Sequence, residues 1–348
     1  MNQRFLDKHK VIHYLGKCLK HIGDKEFMTY VLAEEKNPGR ISFQCWGDEN
    51  QGKTIMIIRN AYPLNGFFAE FRCTLKLLAY AERYGFVPYI IYDDSYLYAE
   101  PKGIYGVHNP FEYYFSQPSG LSYESAMHSF NVVEAEIRHS HMIDKKYGIH
   151  IASYETGEDY MGELASVMKK YIQLNERTHA YMEKNLSKVI HNGERVLGFH
   201  HRGTDYKKGY KIHPKYITLE EKMLIISEAI SEFDKLFVAT DDAAAMETLK
   251  EKFGDKVYGY QDVFRSEGDV SVAFTGSDRE NHKFYLGLEV LRDMYTLACC
   301  DGLVAGVSNV SMCARIAKKS MGQEYAYLRI LDHGINKKGK YFKGIATH

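Results

Sequence analysis

The chain has 348 residues, and its 45 Lys plus Arg are balanced by 45 Asp plus Glu; a formal net charge of zero argues against a nucleic-acid partner. Apolar residues make up 45%, enough for the two cores a chain of this length normally builds, and no apolar run approaches the roughly twenty residues that span a bilayer. The opening stretch MNQRFLDKHKVIHYLGKCLK lacks the apolar centre of a signal peptide, so the expectation is a cytoplasmic protein whose membrane contact is at most peripheral. Cys18, Cys45, Cys73, Cys299, Cys300 and Cys313 include no C-x-x-C pair and read as reduced thiols.

In chain order, the first clear unit is β-α-β. TIMIIR (54–59) is an apolar strand, NAYPLNG (60–66) a loop, and 67–84 a helix with Phe68, Phe71, Leu75, Leu78 and Ala79 on one face. Gly85 stands where a left-handed residue ends a helix, and FVPYIIY is the next strand. The loop therefore lies at a helix N-terminus, where free backbone N–H groups can bind an anion or a sugar or simply connect two elements. Residues 101–159 show no clear periodicity and read as loops and short elements on a variable acceptor side. His139 and His141, two apart, suit one face of a strand, but no further ligand follows at zinc-like spacing and no metal site is expected. The 28 tyrosines, against one tryptophan, suit sugar-stacking surfaces and equally half-buried strand and loop positions. A long helical stretch over 159–190 closes the first half, and the polar HNGE (191–194) is the best domain boundary.

The second half alternates regularly: strands over 195–200, 235–239, 257–260, 302–306 and 325–330, helices over 218–232, 243–253, 284–300 and 309–319. Thr218 and Glu221 have the spacing of a capping box. Such alternation builds a parallel sheet whose functional turns all emerge on one carboxyl edge. Three of those turns carry chemistry. RVLGFHHRGTDY (195–206) runs an apolar strand into His200, Arg202 and Asp205; KLFVATDD (235–242) ends in Asp241 and Asp242; DGLVAGVSNVSMCARIA (301–317) turns through Ser308 and Asn309 into a helix. A guanidinium at a strand end suits two phosphate oxygens, although a local pair between Arg202 and Asp205 would leave the same sequence trace.

These segments resemble motifs of the fucosyltransferase superfamily that includes the α-1,6-, α-1,2- and protein O-fucosyltransferases and the bacterial nodulation enzymes. His200, Arg202, Thr204 and Asp205 match its His-x-Arg-x-x-Asp segment, residues 239–242 its Ala-Thr-Asp-Asp segment, and Asp293 with 301–317 resemble its third motif. The resemblance covers about 196–318, with a fainter echo in the loop at 60–68. It implies an α/β fold of GT-B architecture, two Rossmann-like domains facing across a cleft. Residues 1–190 would then form the acceptor side and 195–348 the nucleotide-sugar domain. It also implies GDP-fucose as donor substrate, with no separate cofactor, and a carbohydrate acceptor. One departure stands out: where the α-1,6 enzymes continue with a second Arg, a Lys and a later Glu, this chain has Gly203, Tyr206 and KKGYKIHP.

Release of a nucleoside diphosphate places new negative charge on the leaving group, which a metal or fixed cations can stabilise. No Asp-x-Asp pair occurs in the chain. Arg202 is therefore the expected diphosphate contact, supported by Ser308, Asn309 and the helix they open. By the resemblance, His200 and Asp241 contact the nucleoside, with Asp242 beside them and Asn65 and Gly66 in the donor loop. His200 could instead be a satisfied strand-end histidine, and Asp241 a helix cap. Asp205 is the first candidate for the acceptor base or else orients Arg202; Asp278 and Glu280 are weaker candidates. Three functions fit: an inverting fucosyltransferase, a GT-B transferase for another nucleotide sugar, or a non-catalytic nucleotide- or glycan-binding module.

Overall fold

The computed structural model describes residues 42–62, 65–135, 137–146, 157–268, 271–274 and 276–340; Cys18 and the N-terminal segment lie outside the described residues. Two sheets organise the chain. The first has the order β1-β4-β2-β3, with β1 at Phe43–Gln44, β2 at Glu49–Arg59, β3 at Val87–Ile91 and β4 at Ser129–Ala135. β3 and β4 run parallel to β2, and β1 pairs antiparallel to β4. Ile55 to Ile58 are wholly buried, as expected of a parallel strand covered on both faces. Helix α1 (Phe67–Tyr84) follows β2, and all five residues of its expected apolar face are buried. Gly85 ends it at φ 70°, its N–H reaching the carbonyls of Ala81 and Glu82.

The described residues within 101–159 form more regular structure than their sequence suggests. They hold α2 (Tyr123–Met127), α3 (Ile137–Lys146) and β4, which lies inside the first sheet. In SFNVVEA the buried Val132 and Val133 are adjacent rather than alternating, so pairing with β2, not periodicity, makes this segment a strand. His139 and His141 consequently lie on a helix rather than a strand, and His139 stacks on Tyr80 with ring centroids 5.0 Å apart. The helical stretch after it divides into α4 (Glu158–Tyr171) and α5 (Glu176–Leu186). Asn175 makes the break: its side chain caps α5 at Thr178 N and donates to the carbonyls of Glu112 and Tyr113.

The second sheet is parallel throughout, in the order β7-β6-β5-β8-β9. Its strands are β5 (Val196–His201), β6 (Lys235–Thr240), β7 (Val257–Tyr258), β8 (Gly302–Gly306) and β9 (Tyr327–Leu331). Helices α6 (Leu219–Ala229), α7 (Ala243–Phe253), α8 (His282–Cys299) and α9 (Asn309–Ser320) connect them, and the Thr218–Glu221 capping box is present. The chain leaves β5 in one direction across the sheet and enters β8 on the other side, so the order reverses between these two strands. That reversal opens the crevice where doubly wound sheets bind ligands. One hydrophobic cluster joins α1 and α4 of the first half to α8 and α9 of the second. No helix among the described residues is long and apolar enough to cross a membrane.

Candidate functional site

A cavity of about 400 Å³ lies outside the carboxyl ends of β5 and β6 and is lined from the other side by the start of α1. Its size suits a small organic ligand. The N-termini of two helices border it, α1 at Gly66 and α9 at Ser308, bringing the positive ends of two helix dipoles to one space.

Arg202 enters this cavity from the turn after β5. Its Nε donates to Asp205 Oδ1 at 2.9 Å and an Nη donates to Ser271 Oγ at 3.3 Å, while Asp241 Oδ2 lies 3.9 Å away. Tyr206 sits under the guanidinium, 5.4 Å from its ring centroid. Burial opposes the charge, but the carboxylates of Asp205 and Asp241 more than offset it and raise the pKa above its ordinary value. About a third of the side chain remains exposed, so the cation is held in place and still presented to a ligand.

The two aspartates after β6 divide their work. Asp241 lines the cavity and braces the β5 turn, accepting from Gly203 N at 2.9 Å and Thr204 Oγ1 at 2.7 Å. Asp242 is the helix cap: it accepts from Ala245 N at 3.2 Å and pairs with Lys207 at 3.1 Å. A Cβ on Gly203 would come within 2.4 Å of an Asp242 oxygen, so only glycine fits that crossing. Asp242 does not line the cavity, and the capping considered for Asp241 falls one position later.

His200 is buried at the end of β5, its Nδ1 3.4 Å from Ser308 Oγ. Burial first, then the nearby Lys222 and Arg202, push its pKa down to about 3, so it acts as a neutral hydrogen-bonding ring. Ser308 caps α9 through Ser311 N at 3.1 Å. Asn309 follows in the cavity wall, and its Oδ1 is buried with no hydrogen-bond donor among the described residues. Across the cavity, Asn65 donates to Glu70 at 2.9 Å. Asp278 and Glu280 are exposed and do not line the cavity. No three His, Cys, Asp or Glu side chains gather as metal ligands among the described residues.

No family model matches the sequence, and no curated protein matches it. Similarity is found among solved structures. The structure of NodZ α-1,6-fucosyltransferase soaked with GDP-fucose is 15% identical, with a TM-score of 0.47 over 76% of this chain and 92% of that chain. Fucosyltransferase NodZ from Bradyrhizobium is 16% identical, with a TM-score of 0.43 over 77% of this chain and 93% of its own. POFUT1 in complex with GDP-fucose is 11% identical, with a TM-score of 0.45 over 80% of this chain and 97% of its own.

Two carboxylates gain roles here: Glu70, which no motif named, and Asp293, which the motif resemblance included without a role. Glu70, 1% exposed, accepts from Ala61 N, Tyr62 N and Asn65 Nδ2 and so ties the loop before α1 to the helix. Burial pushes its pKa up to about 7 despite those three donors. Asp293 of α8 lines the cavity with its carboxylate accepting no hydrogen bond among the described residues. Burial raises its pKa to about 7, against the pull of Arg292 and Arg265. A buried carboxylate with both oxygens open is a double acceptor waiting for a ligand with two adjacent donors.

Proposed function

We propose that the chain is an inverting glycosyltransferase of GT-B architecture that moves fucose from GDP-fucose to a glycan or glycoconjugate acceptor. On this reading residues 195–348 bind the nucleotide sugar and residues 1–190 supply the acceptor side. The observation that carries it is Arg202, braced by Asp205 at 2.9 Å, beside the N-terminus of α9 where the strand order reverses. The motif resemblance of 196–318 supports the same donor class.

Each group has a task in this mechanism. Arg202 and the first turn of α9, with Ser308 and Asn309, face the diphosphate and gain strength as it takes up charge. Asp293 reads the base: guanine alone among the common bases offers a ring N–H and an adjacent amino group to one carboxylate. Asp241, whose oxygens serve Gly203 and Thr204, shapes the turn beneath the nucleotide instead. Neutral His200 contributes a ring nitrogen beside Ser308. Asp205 positions Arg202; the acceptor oxygen bonds to the anomeric carbon from the face opposite the diphosphate as the carbon–phosphate oxygen bond breaks, and the hydroxyl proton passes to water.

Calorimetric titration tests the donor: GDP is expected to bind more tightly than UDP or dTDP, and UDP binding at least as tightly as GDP would overturn the assignment. Catalysis is expected to need no divalent metal, because fixed cations already serve the leaving group. EDTA should leave the initial rate with GDP-fucose nearly unchanged. Loss of activity that manganese or magnesium restores would refute this.

A further inference from the structure

Lys222, unlike Arg202, has no carboxylate within ion-pair distance among the described residues. Arg202 is neutralised by Asp205 at 2.9 Å, with Asp241 at 3.9 Å. Lys222, in the first turns of α6, is 3% exposed, and its Nζ donates to Nδ1 of His201 at 2.9 Å, a neutral acceptor. The carboxylates that act on it most strongly are engaged elsewhere, Asp241 by Gly203 and Thr204, Glu221 by Thr218 and His333. Taking an ammonium out of water without a counter-charge is costly, and burial pulls the Lys222 pKa down to about 8.

A small pocket explains how that cost can be met. It lies between the ends of β5 and β8, where the strand order reverses, and is lined by His200, Arg202, Lys215, Lys222, Gly306 and Ser308. It shares His200, Arg202 and Ser308 with the main cavity. Three basic side chains thus surround the pocket, and no carboxylate lines it. Gly306 lies against the lysine: a Cβ at this position would sit 3.6 Å from Lys222 Nζ, in ordinary contact. His201 buttresses the lysine from the strand side and is itself neutral, burial and then Lys222 lowering its pKa to about 2.

We propose that Lys222 serves as a second cation for the diphosphate that Arg202 faces in the main cavity, the ammonium donating to one phosphate oxygen that enters this small pocket. The nucleoside's identity rests on the GDP-sugar reading above; the anion chemistry rests on the pocket itself. Arg202 would supply a planar fork and Lys222 a point charge, so one orients the diphosphate and the other compensates its charge.

The test compares the full chain with its Lys222→Met variant, which keeps the side-chain length and removes the buried charge. Calorimetry with guanosine, GDP and inorganic pyrophosphate should show equal guanosine affinity in the two proteins, whereas GDP and pyrophosphate should bind the variant about ten- to a hundredfold more weakly. Its melting temperature should match or exceed the parent's, since a desolvated charge is gone. A second measurement needs only the parent. Titration of GDP near about pH 8.5 in buffers of different ionisation enthalpy should show proton uptake, because a bound phosphate raises the pKa of the ammonium. The other groups facing Lys222 are His200 and His201 from β5, Asp241 after β6, Glu221 on α6, and Arg202 and Lys215 around the pocket. Equal GDP and pyrophosphate affinities in both proteins, or no proton uptake by the parent, would overturn the proposal. Lys222-dependent pyrophosphate binding without GDP selectivity would keep the subsite and discard the nucleoside assignment. Guanosine binding as tightly as GDP in the parent would do the reverse. Should the variant fail to fold, proton uptake by the parent decides alone.

Discussion

Arg202→Ala is expected to lower kcat by about a hundredfold or more, because the guanidinium's contact strengthens as charge moves onto the leaving phosphate. Stability should fall as well. The substitution leaves Asp205, 5% exposed, and the neighbouring Asp241 without the cation between them. The two effects separate when initial rate is expressed per folded molecule and melting temperature is measured on the same preparation. Arg202→Lys refines the test. Lysine restores charge near Asp205 but cannot serve a phosphate with one edge while Asp205 and Ser271 hold the other, so an intermediate rate is expected. A normal rate per folded Arg202→Ala molecule would mean that the arginine serves only the turn, and the proposed leaving-group chemistry would fall with it.

The turn after β5 was legible in sequence because its residue types are unusual for a strand end: two histidines, an arginine and an aspartate within six positions have few bland uses. The second sheet was legible too, since its alternation of apolar strands with helices leaves few topologies open. Single-residue assignments were harder. Whether Asp241 or Asp242 caps α7 depends on where β6 stops, and pairing with β5 extends that strand through Thr240. Lys222 stands in TLEEKMLII as if on a solvated helix face; only the packing of α6 against the sheet turns that position inward. Asp293 had a usable signal. Glu289, Arg292, Asp293 and Thr296 form a polar stripe at helical spacing on α8, whose remaining inward positions are apolar, and all four are buried. A buried polar stripe on a helix calls for partners, which Arg292 finds in Asp262 at 2.7 Å and Asp293 does not find among the described residues.

Asp293→Asn should accordingly weaken GDP binding by about a hundredfold or more while leaving the helix intact, since the two side chains have nearly the same shape. The amide replaces one acceptor with a donor and so opposes one of guanine's two adjacent donors. Xanthosine diphosphate presents a ring N–H beside a carbonyl, the complement of an amide, and the variant should prefer it over GDP where the parent prefers GDP. Titration adds an independent check. The Asp293 carboxyl, its pKa raised to about 7 by burial, accepts both hydrogen bonds only when ionised, so GDP binding to the parent should tighten as pH rises through about 7. Binding favours the ionised form and should release a proton on the acid side of that range. In Asp293→Asn the acid limb should disappear, while any loss of affinity above about 8, where Lys222 gives up its proton, should remain. Calorimetry across this range with both nucleotides measures all of these effects together. An unchanged preference for GDP over xanthosine diphosphate in the variant would show that the base lies elsewhere, because no other change at Asp293 alters acceptor number without altering shape.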